Sequence, residues 1–254
     1  MARLIALLES TGSLIAVLVL WFLVTRFGAV DAFLLPAPGD VLARIADDTL
    51  SGDLLASLLI TLRTAGLGFA IAGVIGTALG ISMARIRLVH WFFDPLVSLG
   101  FPMPKIAFLP VFLLWLGPNA ASQITIVAVS AVFPVVVAAF SGAQGVEKTM
   151  LWSAASLGGT RAGLLWQIVL PAIVPQLFTG LQIALPVALV TTIVAEMLTG
   201  SDGIGGVMLG AMRFADSPGV FAGIVVIAAV GVCVVRGMEW LRSRLLRWHA
   251  EGDR

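Results

Sequence analysis

The sequence predicts an all-α integral membrane protein, and three features lead to this prediction. Of its 254 residues, 59% are hydrophobic and only 11% are charged, whereas soluble domains usually carry about 25% charged residues. The charges are also unevenly placed, because several long stretches contain no Asp, Glu, Lys or Arg. These stretches can hold spanning helices, each of which needs about 20 apolar residues. The whole chain, residues 1–254, is therefore predicted to form a single transmembrane domain.

Six membrane spans are expected. The first follows Arg3 and resembles a signal peptide, but Thr25-Arg26-Phe27 is not a small-x-small cleavage site, so we interpret this segment as a retained helix. The second span is long enough to tilt or to project beyond the bilayer. Pro102 and Pro104 predict a break or kink in the third span. The spans cover about residues 12–30, 54–84, 88–116, 121–142, 171–198 and 219–241.

Basic residues are concentrated in alternate loops, and this bias predicts the orientation because cytoplasmic loops carry more Lys and Arg. We predict that both termini are cytoplasmic. The inner segments then carry Arg3, Arg85, Arg87, Lys148, Arg161, Arg242, Arg244, Arg247 and Arg254. The outer segments carry Asp31, Asp40, Asp47, Asp48, Asp53, Asp202 and Asp216, against only Arg44 and Arg213.

The outer connection at residues 31–53 is expected to carry a short surface helix, because apolar residues recur there at helical spacing. Cys233, the only cysteine, lies in an apolar run and is interpreted as a small core residue. The two histidines are too isolated to form a metal site. The residues that predict the surface helix are Val41, Leu42, Ile45 and Ala46.

The segment WSAASLGGTRAGLLWQIVLP, residues 152–171, lies in the loop 143–170 between the fourth and fifth spans. Helix formers up to Leu157 predict a helix, and Gly158-Gly159 end it because glycine accepts a turn at no steric cost. Thr160 can cap a second helix, and Pro171 suits the first turn of the next span. One apolar face is predicted, with Leu164, Leu165, Ile168 and Val169. Such a face requires a partner protein or, alternatively, lies on the lipid headgroups.

This segment resembles the cytoplasmic EAA loop of ABC importer permeases. The family pattern is Glu-Ala-Ala, three residues, Gly, nine residues and Ile-x-Leu-Pro. Gly158 takes the glycine position, and Ile168, Leu170 and Pro171 take the closing motif at the correct distance. Ser153 and Ala154 stand for the two alanines. Trp152 occupies the glutamate position, where packing by the indole ring is the expected substitute for a polar contact.

The resemblance extends over roughly residues 34–248. The segments LLPAPGDVL, FPMPKIAFLPVFLLWLG, TGLQIALPVALVTTIVAEM, SDGIGG and LLRWH are similar, in this order, to nitrate/sulfonate/taurine-type permeases. The resemblance implies the type I ABC importer permease fold in a bacterial cell (inner) membrane. It further implies a permease homodimer, two cytoplasmic ATP-binding subunits that hold ATP and magnesium, an extracytoplasmic solute-binding protein and surrounding membrane lipid. No nucleic acid partner is expected.

The same resemblance implies that the loop transmits motion from the ATPase to the pore. The residues to which it assigns this coupling are Trp152, Ser153, Ala154, Gly158, Gly159, Arg161, Ile168, Leu170 and Pro171.

The chain itself is not expected to be an enzyme. It has no Gly-x-x-x-x-Gly-Lys-Ser/Thr phosphate-binding loop, and GAQGVEKT at 142–149 has the wrong spacing. No Ser/His/Asp, Cys/His or paired-carboxylate arrangement predicts a catalytic residue. No cofactor is therefore expected in this chain.

Ionisable groups inside the bilayer are candidates for the solute pathway, because a charge buried in lipid is costly. Lys105 is the first candidate, since it follows Pro102 and Pro104, where a broken helix would free backbone groups to line a cavity. An alternative is that Lys105 pairs structurally or reaches the interface. Arg63 and Glu196 form a second set that could pair with each other as a gate or a structural contact.

Three glycines, Gly73, Gly76 and Gly80, are predicted to fall on one face of the second span, at three- and four-residue spacing. This small-xxx-small pattern favours close packing of helices more than a role in permeation.

Two other classes of function stay open from the sequence. A self-sufficient secondary transporter or channel would need no ATPase, and many such folds contain an inverted repeat, which is not evident here. A membrane enzyme or scaffold is disfavoured by the missing catalytic residues. Nitrate, taurine, alkanesulfonates, aromatic carboxylates and thiamine-precursor pyrimidines all fit as solutes.

Overall fold

All regular structure in the described part of the protein is helical, which confirms the all-α prediction. The structure, a computed structural model, describes the backbone of residues 2–28 and 30–246, and their side chains apart from residues 2–11, 14, 148, 161 and 162. A 3₁₀ turn, Lys105–Phe108, precedes α5, and a π-helical turn, Leu165–Val169, joins α8 to α9. The helices are α1 (Ala2–Arg26), α2 (Pro38–Ser51), α3 (Asp53–Arg85), α4 (Arg87–Gly100), α5 (Leu109–Leu116), α6 (Ala120–Gly145), α7 (Lys148–Ser156), α8 (Arg161–Leu164), α9 (Leu170–Thr199), α10 (Ile204–Arg213) and α11 (Ser217–Leu245).

Within the part of the chain that the structure describes, four helices are long and apolar enough to cross a membrane: α3, α6, α9 with its preceding π turn, and α11. The third predicted span is broken, because α4 and the Lys105–Leu116 segment meet at 100°. Pro102 and Pro104 lie in this break, as the sequence predicts. Among the described side chains of α1, the apolar stretch Ile15–Arg26 is shorter than a spanning helix. The crossing of the membrane by residues 12–30 therefore stays a prediction.

Helices α3 and α6 run parallel, and small residues bring their backbones together. A Cβ atom at Gly68 would lie 2.5 Å from Cγ1 of Val127, and one at Gly80 would lie 2.6 Å from the carbonyl oxygen of Val136. The contact positions thus advance together along both helices. Because the chain must return between two parallel helices, α4 and α5 together make one broken crossing.

Helix α9 runs antiparallel to α6 and packs against it as closely. A Cβ atom at Gly180 would lie 2.9 Å from the carbonyl oxygen of Pro134 and 2.4 Å from the Cβ of Ala138. Close approach through small residues is how helices associate where lipid supplies no hydrophobic driving force between them. The resulting core of α3, α5, α6 and α9 contains Ala72, Leu109, Ile126, Val127, Ala131, Val135, Ala184, Ala188 and Ala195.

The three glycines singled out from the sequence do not act together. Gly76 and Gly80 both lie at the α3–α6 contact, since a Cβ atom at Gly76 would be 2.8 Å from the Cβ of Val135. Gly73 faces α9 instead, with Leu181 Cδ2 at an ordinary 3.7 Å. The prediction that the three glycines share one face of the helix is therefore wrong for Gly73. Small buried residues instead repeat every four positions, at Gly68, Ala72, Gly76 and Gly80, and the sequence alone did not indicate Gly68.

One end of the bundle, here the α2/α10 end, holds the two short helices. The predicted surface helix is α2, and its Arg44 binds Asp48 at 2.9 Å and also Asp216, at the start of α11. Hydrogen bonding to Asp48, and then to Asp216, raises the pKa of the Arg44 guanidinium despite opposing desolvation. The indole Nε1 of Trp21 donates to the carbonyl oxygen of Pro36 at 3.0 Å, which ties α1 to the same end.

Helix α11 packs mainly through its first half, where Gly219, Ala222 and Gly223 are buried. Cys233 lies in the second half and is exposed, so its interpretation as a core residue is wrong. Of the basic residues counted for the orientation, Arg247 and Arg254 lie outside the described residues. The side chains of Arg3, Lys148 and Arg161 are likewise outside the described part.

We expect Gly80→Ala to destabilise the bundle by about 1–3 kcal/mol, because its methyl group would overlap backbone atoms of α6 that cannot move aside. The matched control is Gly66→Ala on the same helix, where nothing lies within 4 Å. That control is expected to be neutral or stabilising by up to about 1 kcal/mol, because alanine is the better helix former. Thermal unfolding in detergent measures both variants, and equal melting temperatures would contradict the close α3–α6 contact.

Candidate functional site

The loop between α6 and α9 contains a helix that ends in a Schellman motif. The amide of Gly159 donates to the carbonyl oxygen of Ala154, and that of Gly158 donates to Ala155, both at 3.0 Å. Gly158 has φ +89°, which is strained for any residue with a side chain. A Cβ atom at Gly159 would lie 2.7 Å from the carbonyl oxygen of Ala154. Both glycines are thus needed for this turn, as the paired motif predicts.

The second half of the loop is continuous with α9. Thr160 Oγ1 accepts a hydrogen bond from the amide of Gly163 at 3.1 Å and so caps α8. The helix then widens into the π turn, in which the Leu170 amide bonds to the carbonyl oxygen of Leu165. Pro171 explains this widening, because its ring would clash with the carbonyl four residues earlier and it has no amide hydrogen. The predicted second helix is therefore present as α8, but it continues through the π turn into α9 and does not end before Pro171.

The loop has one side toward the bundle and one side toward solvent. Val169 is buried with Ala143, Val146 and Ile173, and Ile168 packs against this cluster. On the other side Trp152 is 68% exposed, Leu157 90% and Trp166 72%. We call Trp152, Leu157 and Trp166 the outer apolar patch. Trp166 also borders a groove with Val74 and Leu177 of the spans. Large apolar side chains exposed on one short loop indicate a binding surface.

The residues assigned to coupling therefore divide into two groups. Trp152, Ser153, Gly158, Gly159 and Pro171 are exposed, whereas Ala154, Ile168 and Leu170 are partly buried. The backbone of Arg161 begins α8, but its side chain lies outside the described part.

The predicted face of four aliphatic residues is not one face, since Val169 points into the bundle and Leu165 is 37% exposed. The sequence analysis missed Leu157 and Trp166 because helical periodicity does not distinguish the inner side of a loop from its outer side.

Glu196 lies at the α2/α10 end and is fully buried, with 0% exposure. Its Oε2 accepts hydrogen bonds from Thr61 Oγ1 at 2.9 Å and from the Gly205 amide at 3.1 Å. Thr61 Oγ1 in turn accepts from the Ile204 amide at 2.9 Å. These are the first two amides of α10, whose N-cap, Gly203, has no side chain. Glu196 and Thr61 thus cap α10 from α9 and α3, which gives Glu196 a structural position.

The pairing of Arg63 with Glu196 is not found. Arg63 is exposed, and it lies only two residues after Thr61 on α3. Residues two apart point to nearly opposite sides of a helix, so Arg63 cannot share the contact that Thr61 makes. The sequence showed two opposite charges in apolar surroundings, but it did not show that Thr61 would be the residue facing Glu196.

Lys105 sits at the break between α4 and α5. Its Nζ donates to the carbonyl oxygen of Phe101 and lies 4.9 Å from the ring centroid of Phe133. A carbonyl freed by a break and an aromatic face both bind a cation well. The ammonium group therefore has structural partners, which agrees with the alternative that Lys105 pairs structurally.

The profile of the family described as "Binding-protein-dependent transport system inner membrane component" matches residues 76–247. The chain is 32% identical over 251 residues to the taurine transport system permease protein TauC of Escherichia coli (strain K12), covering 95% of this chain and 90% of TauC. The chain belongs to this family. It is the non-catalytic permease component of an ABC transporter and a multi-pass inner membrane protein.

Two further similarities support the fold and the range of relatives. The permease is 29% identical to the formylaminopyrimidine transport permease protein ThiX of Halalkalibacterium halodurans, covering 95% of this chain and 96% of ThiX. Its fold resembles that in the inward-facing MetNI methionine ABC transporter with a TM-score of 0.66 and 14% identity, covering 79% of this chain and 97% of that one. Membership of a binding-protein-dependent system implies, in general, an ATPase and a binding protein as partners.

We expect Glu196→Ala to destabilise the permease by about 1–3 kcal/mol, because it leaves the buried Gly205 amide without its acceptor, whereas the Thr61 hydroxyl keeps the Ser57 carbonyl oxygen at 3.1 Å. Glu196→Gln should lose much less, since its side-chain oxygen can accept the same two bonds. Thermal unfolding in detergent compares the two variants. Equal losses for both would mean that Glu196 acts through its charge and not through the cap.

Proposed function

We propose that this permease moves a small sulfonate-type anion into the cell as a homodimer, driven by two cytoplasmic ATP-binding subunits. The observation that carries the proposal is the outer apolar patch of Trp152, Leu157 and Trp166 on a loop with a fixed turn. A cleft on an ATPase would bury this patch. The permease supplies no nucleotide site, and ATP and magnesium belong to the partner subunit.

The position of the loop supports the transmission of force. Its inner side is tied to α3, α6 and α9 by the buried cluster of Ala143, Val146, Val169 and Ile173. The guanidinium of Arg85, at the end of α3, also donates to the carbonyl oxygen of Ala143 at 3.0 Å. Movement of the loop would therefore act on the three core helices together. Because α8 is continuous with α9 through the π turn, the same movement would be transmitted directly along α9.

The proposed orientation places the loop in the cytoplasm and the α2/α10 end outside. The loop follows α6, and α10 follows the opposite end of the antiparallel α9, so the two lie at opposite ends of the bundle. With α1 as a sixth span, both termini would be cytoplasmic. The acidic α2/α10 end, which contains Asp40, Asp48, Asp202 and Asp216, would then face the solute-binding protein.

The class of solute is inferred from relatives. TauC is a taurine permease component, and SsuC of Bacillus subtilis (strain 168), a candidate permease for aliphatic sulfonates, is 30% identical over 91% of this chain and 84% of its own. ThiX, at 29% identity, makes a formylaminopyrimidine the second candidate. Measuring which solute drives ATP-dependent uptake in proteoliposomes with the cognate ATPase and binding protein decides between them. Uptake that needs no ATPase would overturn the proposal.

We expect Gly158→Asp to uncouple the permease from its ATPase, because a side chain at φ +89° strains the turn by about 1–2 kcal/mol. Transport per ATP hydrolysed should fall by about tenfold, the ratio that corresponds to about 1.4 kcal/mol. Gly145→Asp is the matched control, since it adds the same charge near the loop where nothing lies within 4 Å and φ is not positive. Wild-type coupling in Gly158→Asp would exclude the turn from force transmission.

Lys105 provides a second test. If its charge attracts the anion at the break, Lys105→Ala should lower uptake by about fivefold, which corresponds to about 1 kcal/mol, while Lys105→Arg retains most of the uptake. The ATPase should copurify with both variants. If alanine and arginine at this position give wild-type uptake at limiting solute, Lys105 serves only to hold the break.

A further inference from the structure

The surface of the spans is not uniform, and the contrast is clearest between α3 and the α6–α9 pair. On α3, between Arg63 and Arg85, the large exposed side chains are apolar, namely Leu67, Ile71, Val74 and Ile75. This composition suits lipid. The exposed face of α6 and α9 instead combines apolar residues with Ser141, Gln176 and Thr179. We call these three side chains the polar face.

The polar face borders a cavity of about 200 Å³ between α6 and α9, in the half of the spans nearer the loop. The cavity forms where Gly180 brings the two helices into contact at Pro134 and Ala138. The end of α4 closes one side of it with Phe101, whose carbonyl oxygen holds the ammonium group of Lys105. The lining is Phe101, Pro134, Val137, Ala138, Ser141, Gln176, Thr179, Gly180 and Ile183.

Gln176 is the member of the polar face that lipid accommodates least well. The aliphatic part of its side chain packs on α6, since a Cβ atom at Gly142 would be 3.0 Å from the Cβ of Gln176. Among the described residues neither its amide nor the Ser141 hydroxyl has a hydrogen-bond partner. Thr179 bonds to the Pro175 carbonyl of its own helix at 3.3 Å. An amide without a partner costs several kcal/mol in hydrocarbon, so contact with water or polar groups is required.

We propose that the polar face lines the route of the solute, and that a second copy of the chain closes the opposite side. This inference rests on the proposed function and adds to it the residues that contact the anion. The amide N–H of Gln176 and the hydroxyl groups of Ser141 and Thr179 donate hydrogen bonds to oxygen atoms of a sulfonate-type anion. Uncharged donors bind an anion weakly enough to release it, which a route requires. Lys105 stands beside this route, behind Phe101.

Cysteine accessibility tests this assignment in the assembled transporter. Cys233 is the only cysteine, so Cys233→Ser gives a background without thiols. Ser141→Cys, Gln176→Cys and Thr179→Cys are then placed in it one at a time. The probe is a negatively charged methanethiosulfonate, which is membrane-impermeant and reacts with the thiolate form, so that reaction requires water.

The controls lie at matched depth on α3. The pairs Gly76–Val135 and Gly80–Ala139 place Ser82 level with Ser141, and Ala78 close to the level of Thr179. The control variants are Ser82→Cys and Ala78→Cys. Ala78 is exposed and Ser82 is partly buried, and both border the largely apolar groove that α3 forms with Leu177 and Leu181 of α9. We expect the cysteines of the polar face to react about tenfold faster or more than these controls, because a thiolate does not form in hydrocarbon. Added solute should slow the reaction.

Each other outcome overturns the inference. Rates equal to those of the α3 controls would mean that the polar face meets lipid. Disulfides between two copies, formed without reaction with the probe, would mean a dry contact between the copies. Uptake by the Cys233→Ser parent tests the proposed function separately. If the parent shows ATP-dependent uptake but the introduced cysteines do not react, only the inference is wrong. Uptake that does not depend on the ATPase defeats the proposed function.

A substitution gives an independent readout. Gln176→Leu should lower uptake by about tenfold, a loss of about 1.4 kcal/mol, and should leave the melting temperature unchanged or higher, because it removes an unpaired amide. Ile183→Val on the same lining is the control for packing. A variant Gln176→Leu with normal uptake would remove this residue from the route.

Discussion

Hydrocarbon offers no hydrogen bonds, and this constraint decides where the permease can depart from regular helix. Each departure carries its own replacement partners. At the break between α4 and α5, Lys105 binds the carbonyl oxygen of Phe101. At the start of α10, Glu196 and Thr61 accept the first amides that Gly203 cannot cap. The π turn before Pro171 keeps a backbone bond, from Leu170 to Leu165, where an α-helical one is lost. Irregular backbone is thus confined to places where protein groups satisfy it.

The second constraint is close packing through small residues. Gly68, Gly76 and Gly80 let α3 lie directly on α6, and Gly180 does the same for α9. Because α3 and α6 are parallel, the chain must return between them, and it returns as a broken helix with Phe101 beside the cavity. The parallel packing therefore explains why a returning segment lies beside the core, and Pro102 and Pro104 explain why this segment is irregular. The break in turn leaves the carbonyl oxygen of Phe101 available to bind Lys105.

Much of this arrangement could be predicted from the sequence where a residue type has a single structural use. The paired glycines predicted the turn at Gly158, the threonine predicted the cap at Thr160, and the proline predicted the start of α9 to within a few residues. Charge in apolar surroundings identified Glu196, but not its partner, because Thr61 and Arg63 differ only in which side of α3 they occupy. The polar face could not be predicted, since Ser141 and Gln176 lie 35 positions apart and meet only through the packing of Gly142 on α9.

The two unusual surfaces of the permease have opposite character, and each is explained by what lies against it. The loop exposes Trp152, Leu157 and Trp166 where water would be expected, and the spans expose Gln176 where lipid would be expected. An apolar patch in water and an unpaired amide in a bilayer are both unfavourable for an isolated chain. Both become favourable when another protein covers the patch and water or a second copy meets the amide. On the proposed function, the permease is therefore incomplete at two places that a transporter assembled from several subunits would complete.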